Sequence, residues 1–440
     1  MCRYFVAGLK TLALACIVAG SGVAADSGDD ATNNLFSDLA PLLALFGEQF
    51  AKQYLSESFV YLDHIIFAMA PLGILTAIVA AIRIGGPSWL RSVVGRAREN
   101  LAAAEIELMS STSHEVGELW NGLSLVRTIG RPQIKQLLYL KECYNGTEFG
   151  LYTLEIAEEM GFVEKGDEEQ GGKHLEPDTS STATSEEPES APNVSLNLHG
   201  GSNIEELYFA AACGILLQFG VLTFSGLSVY YPQWNERFRK NGEPVRTYAF
   251  VLFALGTIIL VWGVIMCSMV IERSTEETRW VAGQSYSRCI WLQKSHVCSD
   301  QTFNSFILSP REESSQILTS RRCGNYLDAT APTGGWLQNI SSSYTNTFTV
   351  LGTVTGLVGF ILQFQGLRGL NWSSSIAQLA ATAIMTLLRA WIRRGLTVRP
   401  AATQVLEDHE MDWLALRLAK GRDFWLTDDT LCTSVSDPTE

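Results

Sequence analysis

Asp63 and His64 stand side by side at the start of a long apolar run. Inside a membrane such a pair is costly to keep and would carry a proton or hold a cation. At the headgroup level the same pair is hydrated and does no chemistry, and that is the position expected here. No other apolar run has an acid or a histidine at its middle, which argues against a proton relay. Four glutamines, Gln218, Gln363, Gln365 and Gln378, lie in or near the remaining runs. An unpaired amide in lipid is expensive, so these should hydrogen-bond between helices. Lining a pore is the alternative. His296, Cys298, Cys289 and Cys323 are the one group of soft ligands, and their spacing matches no zinc pattern. No nucleophile elbow, His-Glu-x-x-His or phosphate loop occurs. No catalytic residue, metal site or cofactor site is assigned, and the chain reads as a non-enzyme.

These residues must be held by membrane helices. The chain has 440 residues, of which 47% are hydrophobic and 18% charged, and its formal net charge of −14 argues against a nucleic-acid surface. Arg3 and Lys10 precede the apolar stretch Thr11–Gly20, and Val23, Ala24 and Ala25 follow. That is the layout of a signal peptide over 1–25. Residues 26–58 would then be lumenal or extracellular. Phe59–Ile82 is long enough to span, tolerates Pro71 and Gly73, and ends on Arg83, with Trp89, Arg91, Arg96 and Arg98 beyond. By the positive-inside rule that end is cytoplasmic.

Further spans are expected over 207–229, 247–271, 349–367 and 372–392. In the last, Trp372 and Trp391 mark the interfaces, Arg389 snorkels to the headgroups, and Arg393 and Arg394 sit in the cytoplasm. Gly352 and Gly356, with Ala377 and Ala381, form small-residue faces that suit close packing of the final hairpin. Homo-oligomerisation through this face stays open. The expected fold is an α-helical integral membrane protein with about five transmembrane helices, a small cytoplasmic α/β or β-rich part and a disordered acidic loop.

One loop opposes this scheme. Residues 230–246 are placed outside yet carry Arg237, Arg239, Lys240 and Arg246.

The cytoplasmic parts are 83–163, 272–346 and the tail 393–440. Leu90, Val94, Leu101 and Leu108 recur at helical spacing. Thr112 and Glu115 suggest a capping box for a following helix. Leu123–Ile129 alternates like a strand, and Gln133–Leu140 reads as helix. Cys289–Leu292, Phe303–Leu308 and Gln316–Thr319 read as strands, and Glu407–Ala419 as a helix. Residues 164–206 are acidic and Ser/Pro-rich, as in a disordered linker.

The runs LFSDLAPLLALFGEQF, APLGILTAIVAAIRIGGPSWLRSVVGRARE, ELMSSTSHEVGELWNGLSLVRTIGRPQIKQLL, IWLQKSHVCSDQTFNSF and GLRGLNWSSSIAQLAATAIMTLLRAWIRRGL resemble a family of uncharacterised multipass membrane proteins of filamentous fungi, some joined to ankyrin repeats. The resemblance implies a membrane location and supplies no catalytic residue. The leading expectation is a secretory-pathway membrane scaffold or sensor, at the plasma membrane or an endomembrane. Its partners would be the lipid bilayer and a cytoplasmic protein. The alternative is a channel or transporter formed by oligomerised glutamine-bearing helices. Sequons at Asn145, Asn193 and Asn339 are cytoplasmic in this scheme and should carry no glycan.

Overall fold

The structure, a computed structural model, describes residues 47–130, 133–140, 150–166, 192–198, 204–236, 238, 244–282, 287–298, 300–311, 316–323 and 336–420. The expected signal segment, residues 26–46, most of the acidic tract and Asn145 lie outside these residues. In chain order the helices are α1 (Glu48–Ser56), α2 (Tyr61–Ala68), α3 (Ile74–Gly85), α4 (Ser88–Val93), α5 (Leu101–Leu108), α6 (Leu154–Glu159), α7 (Val194–Leu198), α8 (Ile204–Tyr230), α9 (Pro232–Asn235), α10 (Thr247–Glu272), α11 (Trp336–Gly369), α12 (Trp372–Ile392) and α13 (Glu410–Ala419). The chain divides into a helical unit (1–99, 203–273, 325–393) and a β-rich unit (100–202, 274–324, 394–440).

In the helical unit α8, α10, α12 and the part of α11 from Tyr344 are long and apolar enough to cross a membrane. Leu216, Phe219, Trp262, Ile361 and Leu387 point outward, as lipid-facing side chains do. Helices α10 and α11 lie backbone against backbone. A Cβ added to Gly256 would sit 2.2 Å from the Gln363 backbone nitrogen, and one on Gly263 would sit 2.3 Å from that of Gly356. One on Gly359 would sit 2.3 Å from the Leu260 nitrogen. The small-residue face of Gly352 and Gly356 therefore packs on α10, and Gly356 also meets Ile78. The expected use of that face, in the hairpin with α12, is corrected. Four α11 glycines recur on one stripe, and only there can two backbones come this close.

The expected single span over 59–82 is two helices, α2 and α3, separated by a break at Met69–Gly73. Pro71 cannot donate a backbone hydrogen bond and keeps Ala70 out of the helical region. Ala70 takes φ 55° and Gly73 φ 77°. A side chain on Gly73 would collide with Ala51 and the Gly47 carbonyl, so glycine is required twice over. The two arms form a hairpin. Its entry lies at the ends of α8, α10 and α12: Tyr61 meets Tyr208 at 3.1 Å, His64 meets Ser268 at 2.7 Å, and Asp63 meets Arg393 at 3.1 Å. Its exit lies at the same end of α10, because Gly85 abuts Val270 and its carbonyl accepts from Thr349 at 3.1 Å. The break reaches inward to Gly214 and Met385, and Ile78 reaches Gly356.

The β-rich unit contains four antiparallel assemblies. Strands β1 (Val116–Trp120) and β2 (Leu125–Ile129) form a hairpin, as do β8 (His296–Cys298) and β9 (Gln301–Phe303). A three-stranded sheet has the order β11 (Gln316–Arg322), β6 (Thr275–Ala282), β5 (Val163–Lys165). A five-stranded sheet has the order β12 (Ala401–Gln404), β10 (Phe306–Ser309), β7 (Ser287–Gln293), β3 (Ile134–Leu140), β4 (Gly150–Tyr152). Strand β7 is central and buries alternate residues on opposite faces. Cys289 and Trp291 pack with Trp120, Ile134, Val194 and Phe306. Ile290 and Leu292 pack with Leu137, Ile307, Ala401 and Leu414.

Several local expectations are corrected here. Gln133–Leu140 is strand β3, paired with β7, because its apolar residues are needed on both sheet faces. The stretch after Thr112 is β1, not a capped helix. Leu90–Leu108 is two helices interrupted near Gly95, which has φ 75°. The linker expected over 164–206 is narrower, since β5 covers Val163–Lys165 and α7 buries Val194 and Leu198 in the core.

Candidate functional site

The hairpin break gathers the polar atoms of the helical unit. Breaking a helix in an apolar bundle orphans carbonyls at the end of its first arm, and each needs a donor. Arg389 of α12 supplies them. Its Nη2 donates to the carbonyls of Ile66 at 2.7 Å, Phe67 at 2.9 Å, Met69 at 2.8 Å and Ala70 at 3.3 Å, and its Nε donates to Ile66 at 3.2 Å. The side chain is 0% exposed. Its guanidinium lies 5.6 Å from the Phe67 ring centroid and 6.0 Å from that of Tyr54, where the cation meets the ring faces. The C-terminal end of α2 adds a favourable dipole. The expectation that Arg389 snorkels to the headgroups is corrected: the guanidinium turns inward because the break offers acceptors that lipid does not.

One turn along α12, Arg393 donates to Asp63 at 3.1 Å and to the Glu57 carbonyl, and lies over the Tyr54 ring at 5.0 Å. Asp63 also accepts from the Tyr54 hydroxyl at 3.2 Å and from the Phe59 and Val60 amides at 3.2 and 3.3 Å. Its carboxylate thus caps the start of α2. His64 bonds Ser268 through Nδ1 and faces the Glu272 carboxylate at 3.8 Å through Nε2. Asp63 is 2% exposed and His64 4%, so the expected hydrated position is corrected for both. Both are bound because α10 and α12 bring a hydroxyl and a cation to the mouth of the hairpin.

Of the glutamines, Gln218 donates to Gln378 at 3.4 Å, and Gln363 donates to the Thr257 hydroxyl at 3.0 Å. Each is buried between helices. Gln365 is exposed and joins neither pair. The Gln218 side-chain oxygen and Arg389 Nη1 have no hydrogen-bond partner among the described residues. Of the expected interface residues, Trp89 is exposed, and Arg394 is exposed beyond the end of α12. Trp372 is half-buried, and Trp391 is half-buried and meets Phe209 edge to face. Arg83 is buried in a bidentate pair with Glu99, at 2.8 and 2.6 Å, and Arg91 donates to the Gly86 carbonyl at 2.9 Å. Arg83 and Arg91 therefore hold the hairpin's exit, a role their sequence position did not express.

The β-rich unit hides a second polar centre where a helix cap was expected. Glu105 is fully buried, and burial raises its pKa above the usual carboxylate value. Arg322 at 2.9 Å, Ser113 at 3.0 Å and Ser111 at 3.2 Å oppose that shift by favouring the anion. Glu118 accepts from the Val194 and Ser195 amides at 2.9 and 2.8 Å and from the Ser195 hydroxyl at 2.6 Å. Arg127 donates to the Ser111 carbonyl and lies 3.9 Å from Glu118. The polar run STSHE thus surrounds a buried carboxylate. Its signal was the Glu105–Ser111–Ser113 grouping, and no local pattern announces the distant Arg322. His296, Cys298, Cys289 and Cys323 form no common centre: Cys289 is buried in the core, while Cys298 donates to the Ile129 carbonyl. Among the described residues no three His, Cys, Asp or Glu side chains group as metal ligands.

Both centres have the same chemistry, a buried charge bonded to partners from distant segments, although Nη1 of Arg389 and Nε of Arg127 lack a hydrogen-bond partner among the described residues. No family model matches the chain, and neither a curated protein nor a solved structure matches it.

Proposed function

We propose that this protein is an integral membrane scaffold or sensor that performs no enzymatic reaction. In this reading α8, α10, α11 and α12 cross the bilayer, and α2–α3 enters and leaves at one face. The β-rich unit carries the interaction surface. Its partners are the bilayer and a protein, its place is a membrane of the secretory pathway, and the net charge of −14 argues against nucleic acid. The observation that carries the reading is the pairing of the bundle's polar groups. Gln218 with Gln378, Gln363 with Thr257, and Arg389 with four carbonyls all bond inside the helical unit rather than line an aqueous path. The β-rich unit, in turn, exposes Leu123, Val297 and Leu406, each at least 67% accessible.

A second reading has one observation in its favour. A broken helix inside a membrane is a recurrent part of channels and transporters, and α2–α3 is broken at Met69–Gly73. In that reading oligomerised glutamine-bearing helices would form the path. Purified protein reconstituted in liposomes separates the two. The scaffold predicts ion and small-solute flux no greater than that of empty vesicles. Flux that appears with the wild type and disappears with Gln363→Leu overturns it in favour of the channel.

A further inference from the structure

The bundle has two ends with different traffic. The chain leaves it for segments 100–202, 274–324 and 394–440 at Glu99, Arg273 and Arg393. Glu99 is held by Arg83, two residues before the end of α3, and Arg393 is held by Asp63. Arg273 follows Glu272, which faces His64. The chain returns at α8, where Phe209 meets Trp391, and at α11, where Thr345 abuts Gly85. Every one of these points lies at the mouth of the α2–α3 hairpin. Among the described residues the opposite end holds only the connection between α8 and α10 and the short turn between α11 and α12.

A hairpin that returns to its own face changes the parity of the chain. With 59–82 crossing, the residues before it and the C-terminus lie on opposite faces. With α2–α3 returning, they lie on the same face. Whatever carries residues 26–58 across then carries the β-rich unit across as well. The apolar stretch Thr11–Gly20, with Arg3 and Lys10 before it, has the composition of a segment that does so.

The charge of the short loops points in the same direction. The positive-inside rule is read from short loops, because long segments and folded domains translocate largely regardless of charge. The one short loop of any length is 231–246, with Arg237, Arg239, Lys240 and Arg246 against Glu236 and Glu243. At the mouth of the hairpin Arg83 and Arg96 share Glu99, and Arg393 pairs with Asp63, and all of these cations border long segments, where the rule has little force. Arg91, Arg98, Arg273, Arg394 and Arg399 stand against this, on segments that continue into the β-rich unit. The loop that conflicted with the five-span scheme becomes the cytoplasmic anchor.

We propose that the loop 231–246 is cytoplasmic and that segments 100–202, 274–324 and 394–440 lie on the opposite, lumenal or extracellular side. The partner of the β-rich unit is then a secreted or lumenal protein, or another protein's ectodomain. This deepens the scaffold reading by naming the side, but it stands on the connectivity of the bundle, the cations of its short loop and the Thr11–Gly20 stretch, not on the pairing of the glutamines. Vesicle flux can sink the scaffold and leave the sidedness intact, and the reverse holds.

The test is protease protection of the full chain in sealed endoplasmic-reticulum vesicles. One tag is placed after Glu440 and a second, in a separate version, between Lys240 and Asn241. The C-terminal tag should survive protease until detergent opens the vesicles, and the loop tag should be lost without detergent. A C-terminal tag digested in sealed vesicles overturns the proposal, as does a loop tag that is protected. Where the loop insertion does not fold, the C-terminal tag decides alone.

Discussion

Arg389 is the residue whose role its neighbours in sequence hide most completely. It stands one turn before Arg393 in an apolar helix, and lipid snorkelling is the natural reading of such a position. The acceptors that hold it belong to residues more than 300 positions earlier, so nothing local to α12 announces them. Asp63 and His64 share this defect of legibility. Their place at the head of an apolar run is plain, but the Arg393 and Ser268 partners that bury them come from other helices. Replacing Arg389 by Leu should therefore act as the loss of a cap, not of a surface charge. The carbonyls of Ile66, Phe67, Met69 and Ala70 would be left without donors in an apolar surround. Each buried acceptor left unpaired costs about 1–3 kcal/mol. Arg389→Leu should lower the thermal midpoint in detergent strongly. Arg389→Lys should restore part of it, because an ammonium has three donors but no planar fork. A Leu variant as stable as the wild type would show that the break needs no cap.

Elements were legible where a single property decides them. The apolar runs 207–229, 247–271 and 372–392 lie within α8, α10 and α12, because long apolar stretches have few other outcomes. The alternating stretch Leu123–Ile129 contains β2. Reading failed where a distant partner chooses between helix and strand. Ile134–Leu140 has helical spacing, yet β7 pairs with it residue for residue. Failure of another kind occurred at 59–82, where hydropathy is continuous and only Pro71 and Gly73 interrupt the backbone. Glycine spacing was legible as a packing face, but not which helix the face meets. That choice has a testable consequence in α10. The Gly263 backbone lies against that of Gly356, with no room for a Cβ. Gly263→Leu should push α10 and α11 apart, at a cost of about 1–3 kcal/mol or more from overpacking. Gly220→Leu in α8 is the control, since nothing lies within 4 Å of its added Cβ. Thermal melts of both variants in the same detergent should separate them clearly. Equal melts would mean that the α10–α11 contact is not tight.

At the scale of the molecule, composition gave the class and left the count and sidedness open. Among the described residues four helices have membrane length, and the expected fifth is a pair of short helices around a break. Hydropathy cannot distinguish a crossing from a return, because both bury apolar residues over a similar length of chain. Geometry does, through arm length: at about 1.5 Å per residue the eight residues of α2 rise about 12 Å, well short of a hydrocarbon core about 30 Å thick. The return of α3 to Val270 and Thr349 brings the chain back to the end of α10 where α2 began. The consequence for the whole chain is independent of which face is cytoplasmic. A tag inserted among residues 26–46, ahead of α1, and a tag beyond α13 must share one side of the membrane. In sealed vesicles both should be protected from protease, or both digested, and detergent should erase the protection. One tag protected and the other digested would mean that residues 59–82 cross after all. Met69–Gly73 would then be a kink within a span, and Arg389 would be mending that kink rather than holding a turn.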